Sequence, residues 1–172
     1  MQRNVDKFGF SDKRGRTSTS TDPYQSDAGT REPALCQSCQ AVYRNKRWQL
    51  DPAMASQLAH DPTAHWVTCP ACQKVAERYP EGILTLRGSY LWNHEAEIRN
   101  ILDNAVARFS SRNPLERIIR MQRTDDALVI ETTDNKLAEQ LGRSLQKAHS
   151  GELQIDWQGV PVVCRVQWER WH

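Results

Sequence analysis

The sequence predicts an α+β protein in three parts: a polar tail over residues 1–33, a four-cysteine module over 34–80, and an α+β domain over 81–172. Three observations lead to that reading. The first stretch is nearly devoid of apolar residues, two C-x-x-C pairs follow it, and beyond residue 83 runs of period 2 alternate with runs of period 3.6. The hydrophobic fraction of the whole chain, 38%, is low for a chain packed throughout, which suits a part that adds little to a core.

The tail combines Ser, Thr, Asp and Gly with Arg3, Lys7, Lys13, Arg14, Arg16 and Arg31. It buries too little to offset its ordering entropy and is expected to be disordered alone. Phe8, Phe10 and Tyr24 are the residues that would anchor it on a partner.

In the cysteine module, CQSC leads into AVYRNKRWQL, where Val42, Trp48 and Leu50 are expected to cover the cysteines. Asp51–Pro52 is a cap-and-first-turn signal for a short helix through DPAMASQLAHD. WVTCPAC returns to the second pair, and CQKVAERYPEG leaves as a helix that stops before Pro80.

In the last part, ILTLRGSYL reads as a strand. Residues His94 to Arg112 form the clearest helix, with Ile98, Ile101, Leu102, Ala105, Val106 and Phe109 on one face. LERIIRMQR and ALVIETT make a hairpin around Thr124–Asp125–Asp126. Thr133 or Asp134 caps a second helix carrying Leu137, Leu141 and Leu145, which ends at His149–Ser150–Gly151. ELQIDW and VPVVCRVQWER form a final hairpin in which Val162, Cys164, Val166 and Trp168 share a face. This order fits a small, antiparallel-dominated sheet covered by two helices, split β-α-β-like.

The chemistry is carried by Cys36-x-x-Cys39 and Cys69-x-x-Cys72. Each C-x-x-C turn puts two thiolates on one side of a tight loop, and two facing turns complete a tetrahedral S4 site suited to zinc. An iron–sulfur cluster is the competing occupant, since S4 ligation alone does not choose the metal. A thioredoxin-like reading would need a single pair at a strand-to-helix junction. His60 and His65 lie between the pairs, but four cysteines already close the shell. Residues 34–80 are therefore read as a four-cysteine zinc ribbon whose metal is structural.

Tyr43, Arg44, Lys46, Arg47 and Trp48 interleave three cations with two rings, a pattern that suits RNA: cations meet phosphates and rings stack on unpaired bases. Against this stands the alternative that Trp48 and Trp66 pack over the metal site, because so small a module needs large apolar groups. Arg99, Arg108, Arg112, Arg117, Arg120 and Arg123 form a second basic concentration, cancelled by as many carboxylates in the same part of the chain. Trp157, Trp168 and Trp171 are read as core or sheet-face residues, and Cys164 as a small buried hydrophobe. Net charge is only +2, so charge alone neither supports nor excludes nucleic acid. No P-loop, GxSxG, Rossmann or HExxH motif occurs, carboxylates are unpaired, and neither an enzymatic activity nor a small-molecule substrate is expected. The opening MQRNVDKFGFSDKRGR lacks an apolar h-region and no long apolar run follows, so the expected location is the cytoplasm, with no membrane association.

CQSC and CPAC, followed by KVAERYPEG and an α+β domain, resemble a group of short bacterial zinc-ribbon proteins. Those are distantly related to the family of nuclear export adaptors for the large ribosomal subunit, associated with ribosome stability and mRNA decay. The resemblance implies that Cys36, Cys39, Cys69 and Cys72 are zinc ligands and that the partner is the ribosome or structured RNA. The adaptor family carries more C-x-x-C pairs than the two found here. The expected function is that of an RNA- or ribosome-binding accessory protein. The alternative is a protein–protein interaction adaptor that grips a protein partner with its zinc module and tail.

Overall fold

The computed structural model describes Tyr24 and residues 30–172, so the expectations for Phe8, Phe10 and most of the tail lie outside the described residues. The protein is α+β, with two mixed sheets and five helices among the described residues.

The first sheet contains β1 (Ala34–Cys36), β2 (Val42–Arg44), β3 (Arg47–Gln49) and β4 (His65–Val67), in the order β3-β2-β1-β4. β2 and β3 form a tight hairpin whose turn residues, Asn45 and Lys46, both have positive φ, 54° and 61°. That is the primed-turn geometry that matches strand twist. The Glu32 carboxylate accepts the backbone N–H of both, at 3.1 and 2.7 Å. Helix α1 (Pro52–Ala59) then crosses over, which is why β4 returns parallel to β1. Asp51 caps α1 by accepting the Met54 N–H at 3.0 Å. Its buried residues Ala55 and Leu58 pack on Leu35 and Val42. Val42 thus serves this small cluster and not the cysteines, and Leu50 is 51% exposed. Of the three residues expected to cover the cysteines, Trp48 alone does so. Helix α2 (Pro70–Glu77) follows directly from Cys69 and ends at Arg78, whose φ is 51°.

The second sheet has the order β6-β7-β5-β9-β8, from β5 (Gly82–Arg87), β6 (Ile118–Arg123), β7 (Ala127–Thr132), β8 (Glu152–Gln158) and β9 (Val163–Glu169). β5 and β6 are joined through α3 (Ser89–Asn93) and α4 (Glu95–Arg112) yet separated by β7, the split arrangement. Among the described residues, the only parallel pair in this sheet is β5 with β9. Leu84, Leu86, Leu128, Ile130, Cys164, Val166 and Trp168 face α4 and α5 (Asn135–His149) and form one fully buried core with Ile98, Leu102, Leu137, Leu141 and Leu145. Each such large side chain contributes roughly 1.5–3 kcal/mol by leaving water.

Two further details differ from expectation. The strand predicted through Leu91 stops at Arg87, because Gly88 takes φ 108° and a Cβ there would lie 2.0 Å from the Arg170 carbonyl oxygen. The chain turns into α3 instead. Of the three C-terminal tryptophans, Trp168 is fully buried and Trp157 lies on the sheet in β8, whereas Trp171 lies beyond β9 and is 58% exposed. Asp134 is the cap of α5, accepting the N–H of Lys136 and Leu137 at 2.7 and 3.1 Å.

The two sheets meet at α2. The ammonium of Lys74 lies 3.2 Å from Glu81 and donates to the Thr133 carbonyl at 3.1 Å, almost fully buried. Tyr24, from the expected tail, packs its ring on Tyr79 and donates to the Glu77 carboxylate. No helix among the described residues is long and apolar enough to cross a membrane.

Candidate metal centre

Four sulfurs from two different turns converge. Cys36 ends β1, and Cys39 sits in the turn after it, closed by Gln40 N–H to Cys36 O at 3.0 Å. Cys69 is the N-cap of α2 and Cys72 lies in its first turn. The Pro70 inside the second pair is therefore a helix start, at the position where its missing N–H costs nothing. All four Sγ atoms lie within 4.8 Å of one another. Cys39 and Cys69 are 3.8 Å apart, far beyond a disulfide bond. A metal–sulfur bond of about 2.3 Å in a tetrahedron sets its edge at about 3.8 Å. The cluster can hold a metal ion. His60 is engaged with the Ser56 carbonyl at 2.9 Å, and neither it nor His65 belongs to the sulfur cluster.

Backbone and side-chain donors surround the sulfurs. Cys69 N–H points at Cys36 Sγ (3.3 Å), Cys72 N–H at Cys69 Sγ (3.4 Å), and a guanidinium N–H of Arg117 at Cys72 Sγ (3.0 Å). Arg117 is held in turn by its own N–H to Thr133 Oγ1 at 2.9 Å. Such outer donors orient ligands and tune their basicity. Trp48, Ala41, Ala71 and Leu115 pack against the cluster and leave Cys39 half-buried.

Without a cation the sulfurs cannot all ionise. A hydrogen bond from Cys69 draws the Cys39 thiol down to about 5, while that same interaction, with burial, pushes Cys69 up. Burial also raises Cys72. Binding of a divalent ion to four thiolates would release the thiol protons that remain. Buried Cys164, raised to about 12 chiefly by desolvation, stands apart as an inert core residue.

The basic–aromatic residues divide. Arg44, Lys46 and Arg47 are exposed on the β2–β3 hairpin, and Tyr43 is half-buried with its ring 5.2 Å from Trp48. Trp48 is 9% exposed and packs on the cysteines, so the packing alternative holds for it. Trp66 is 53% exposed and does not follow it. Beside the hairpin lies an open groove of about 390 Å³ whose walls include Tyr43, Lys46, Arg47, Trp48, Arg112 and Asn113. A second groove, of about 430 Å³, shares Tyr24, Thr30, Trp48 and Pro70 with it and adds Arg31, His65 and Trp66. Among the described residues, no carboxylate lines either groove. Most of the second basic concentration is spent elsewhere: Arg99 and Arg123 pair with Glu95, Arg120 with Glu131, and Arg117 with the sulfur of Cys72.

Sequence reading missed the role of Arg117 and the junction of Lys74 with Glu81, for neither carries a local motif. Arg112 was visible only as one cation among six. Compared with family models, curated proteins and solved structures, the chain shows no match.

Proposed function

We propose that the protein is a zinc-structured RNA-binding accessory protein, with zinc held by Cys36, Cys39, Cys69 and Cys72 and RNA taken up beside the β2–β3 hairpin. The donor set supports zinc: four cysteine sulfurs, three buried and Cys39 half-buried, spaced as a tetrahedron needs, and without an open position for catalysis. The observation that carries the RNA reading is the groove that brings Lys46, Arg47 and the distant Arg112 beside the Tyr43 ring, with no carboxylate among its described lining residues. Cations and an aromatic ring lining one groove suit an unpaired, phosphate-linked base. The resemblance of the knuckles to short bacterial zinc-ribbon proteins, distantly related to the large-subunit export adaptors, points the same way; the proposal includes an intracellular, reducing location, in which thiolate ligands persist. Zinc here fixes geometry, and the reading assigns no catalytic step.

Binding to single-stranded RNA should weaken as salt rises, with each phosphate contact contributing about 0.7 to the slope of log K on log salt. Replacing Lys46, Arg47 and Arg112 by Ala should lower that slope by about 2. Equal slopes for the two proteins, or no RNA binding at low salt, would sink the reading.

A second reading, a protein-interaction adaptor, draws on a different groove, of about 680 Å³, whose lining includes Leu50, Val106, Pro114, Ile118 and Met121. Affinity purification at low salt separates the two: ribosomal RNA that survives Leu50→Asp supports the first, and a protein partner lost with that substitution supports the second.

A further inference from the structure

The two edges of the five-stranded sheet are unlike. β6, at one edge, is interrupted by a register shift between Ile118 and Arg120 and carries Arg120 and Arg123. Bulges and cations are the usual devices that keep a sheet edge from pairing. β8, at the other edge, has neither. Its seven residues run in unbroken register with β9, include no proline and no cation, and have no strand on their outer side among the described residues. Leu153, Ile155 and Trp157 lie on the helix-covered face, opposite Trp168, Val166 and Cys164 of β9. Yet Trp157 remains 45% exposed, and Val160 just beyond the strand is 91% exposed.

We propose that this edge pairs with the same edge of a second copy, β8 antiparallel to β8, about a two-fold axis at Ile155. Charge and register select this occupant. Side chains opposite each other in an antiparallel pair share a face. A two-fold axis perpendicular to the sheet therefore centres on a residue. Centred on Gln154, the pairing opposes Glu152 to Asp156 of the second copy, twice. Centred on Asp156, it opposes Asp156 to itself. Centred on Ile155, all seven residues pair and no like charges meet: Glu152 faces Gln158, Leu153 faces Trp157, Gln154 faces Asp156, and Ile155 faces Ile155. Leu153, Ile155 and Trp157 of the two copies then form one continuous apolar strip beside both α5 helices. The joined strands satisfy the outward backbone groups of β8, the source of affinity in strand addition. The pairing is independent of metal and of RNA.

The test is sedimentation equilibrium of the full chain over a range of concentrations, with circular dichroism to check the fold. The expected result is a reversible rise towards twice the chain mass of 19.8 kDa. Gln154 is exposed, so its substitution leaves the monomer's core untouched. Gln154→Asp places aspartate against Asp156 at two symmetric positions and should weaken dimerisation by about three- to tenfold, while Gln154→Lys should strengthen it by a similar factor. A chain that stays monomeric, that assembles beyond a dimer, or whose dimerisation moves in the same direction or not at all in the two variants would overturn the proposal.

Discussion

Arg117→Met removes a charge from the edge of the sulfur cluster while keeping most of the side-chain stem. In the folded protein the guanidinium lies 3.0 Å from Cys72 Sγ, and the Arg117 N–H to Thr133 Oγ1 holds the backbone in place. Four thiolates around a divalent ion carry two net negative charges, so this donor faces a strongly anionic sulfur. A hydrogen bond with a charged partner is worth about 1.5–3 kcal/mol. At about 1.4 kcal/mol per decade, that corresponds to roughly 10- to 100-fold in zinc affinity, the range seen when outer partners of metal ligands are removed. Arg117 is only half-buried, which favours the lower end. Competition with a chromophoric chelator at neutral pH measures the change. Arg120→Met is the control, because Arg120 pairs with Glu131 and touches no sulfur. An affinity for Arg117→Met within about twofold of the parent, or an equal loss in the control, would refute the argument that this donor tunes the site.

Stripping the metal with a chelator, or replacing Cys69 by Ser, should release zinc and expose residues 34–78 to hydrogen exchange while the second sheet stays protected. The first sheet has only small apolar clusters to hold it. Lys74→Met should cost about 3–5 kcal/mol in urea unfolding by removing the buried cation that faces Glu81, and adding Glu81→Gln should recover much of the loss. Burial first, and the charge of Asp134 second, raise the Glu116 carboxyl above its ordinary range. Its favourable contribution is therefore complete at pH values below its unfolded pKa and is lost as pH rises through the folded value. Glu116→Gln should accordingly raise Tm at neutral pH relative to the parent, with the difference shrinking on acidification; thermal melts at several pH values check the sign.

Local features were readable wherever a short stretch of chain carries the whole cause. Asp51–Pro52 and Asp134 start helices because cap and first turn are adjacent in sequence. The turn at Thr124–Asp125–Asp126 joins β6 to β7 for the same reason. The strand through Ser89–Leu91 was misread because its end depends on Arg170, whose carbonyl presses on Gly88 from the far end of the chain. Trp48 and Trp66 looked alike in sequence and differ in burial, since β3 turns one towards the cysteines and β4 turns the other outwards.

Taken alone, the sequence determines a four-sulfur ligand set, two long amphipathic helices and an α+β class, because each rests on spacing within a few residues. Tertiary structure alone decides the order of the second sheet, where β9 enters beside β5 and leaves β8 on the edge. Burying Cys164, Val166 and Trp168 under α5 selects that order, a long-range packing gain that no local window contains. The same long-range closure brings Arg117 to Cys72 and Arg112 to Lys46 and Arg47. The cysteines specify where a metal can bind, and the folding of the second sheet against α2 determines which charges surround that position.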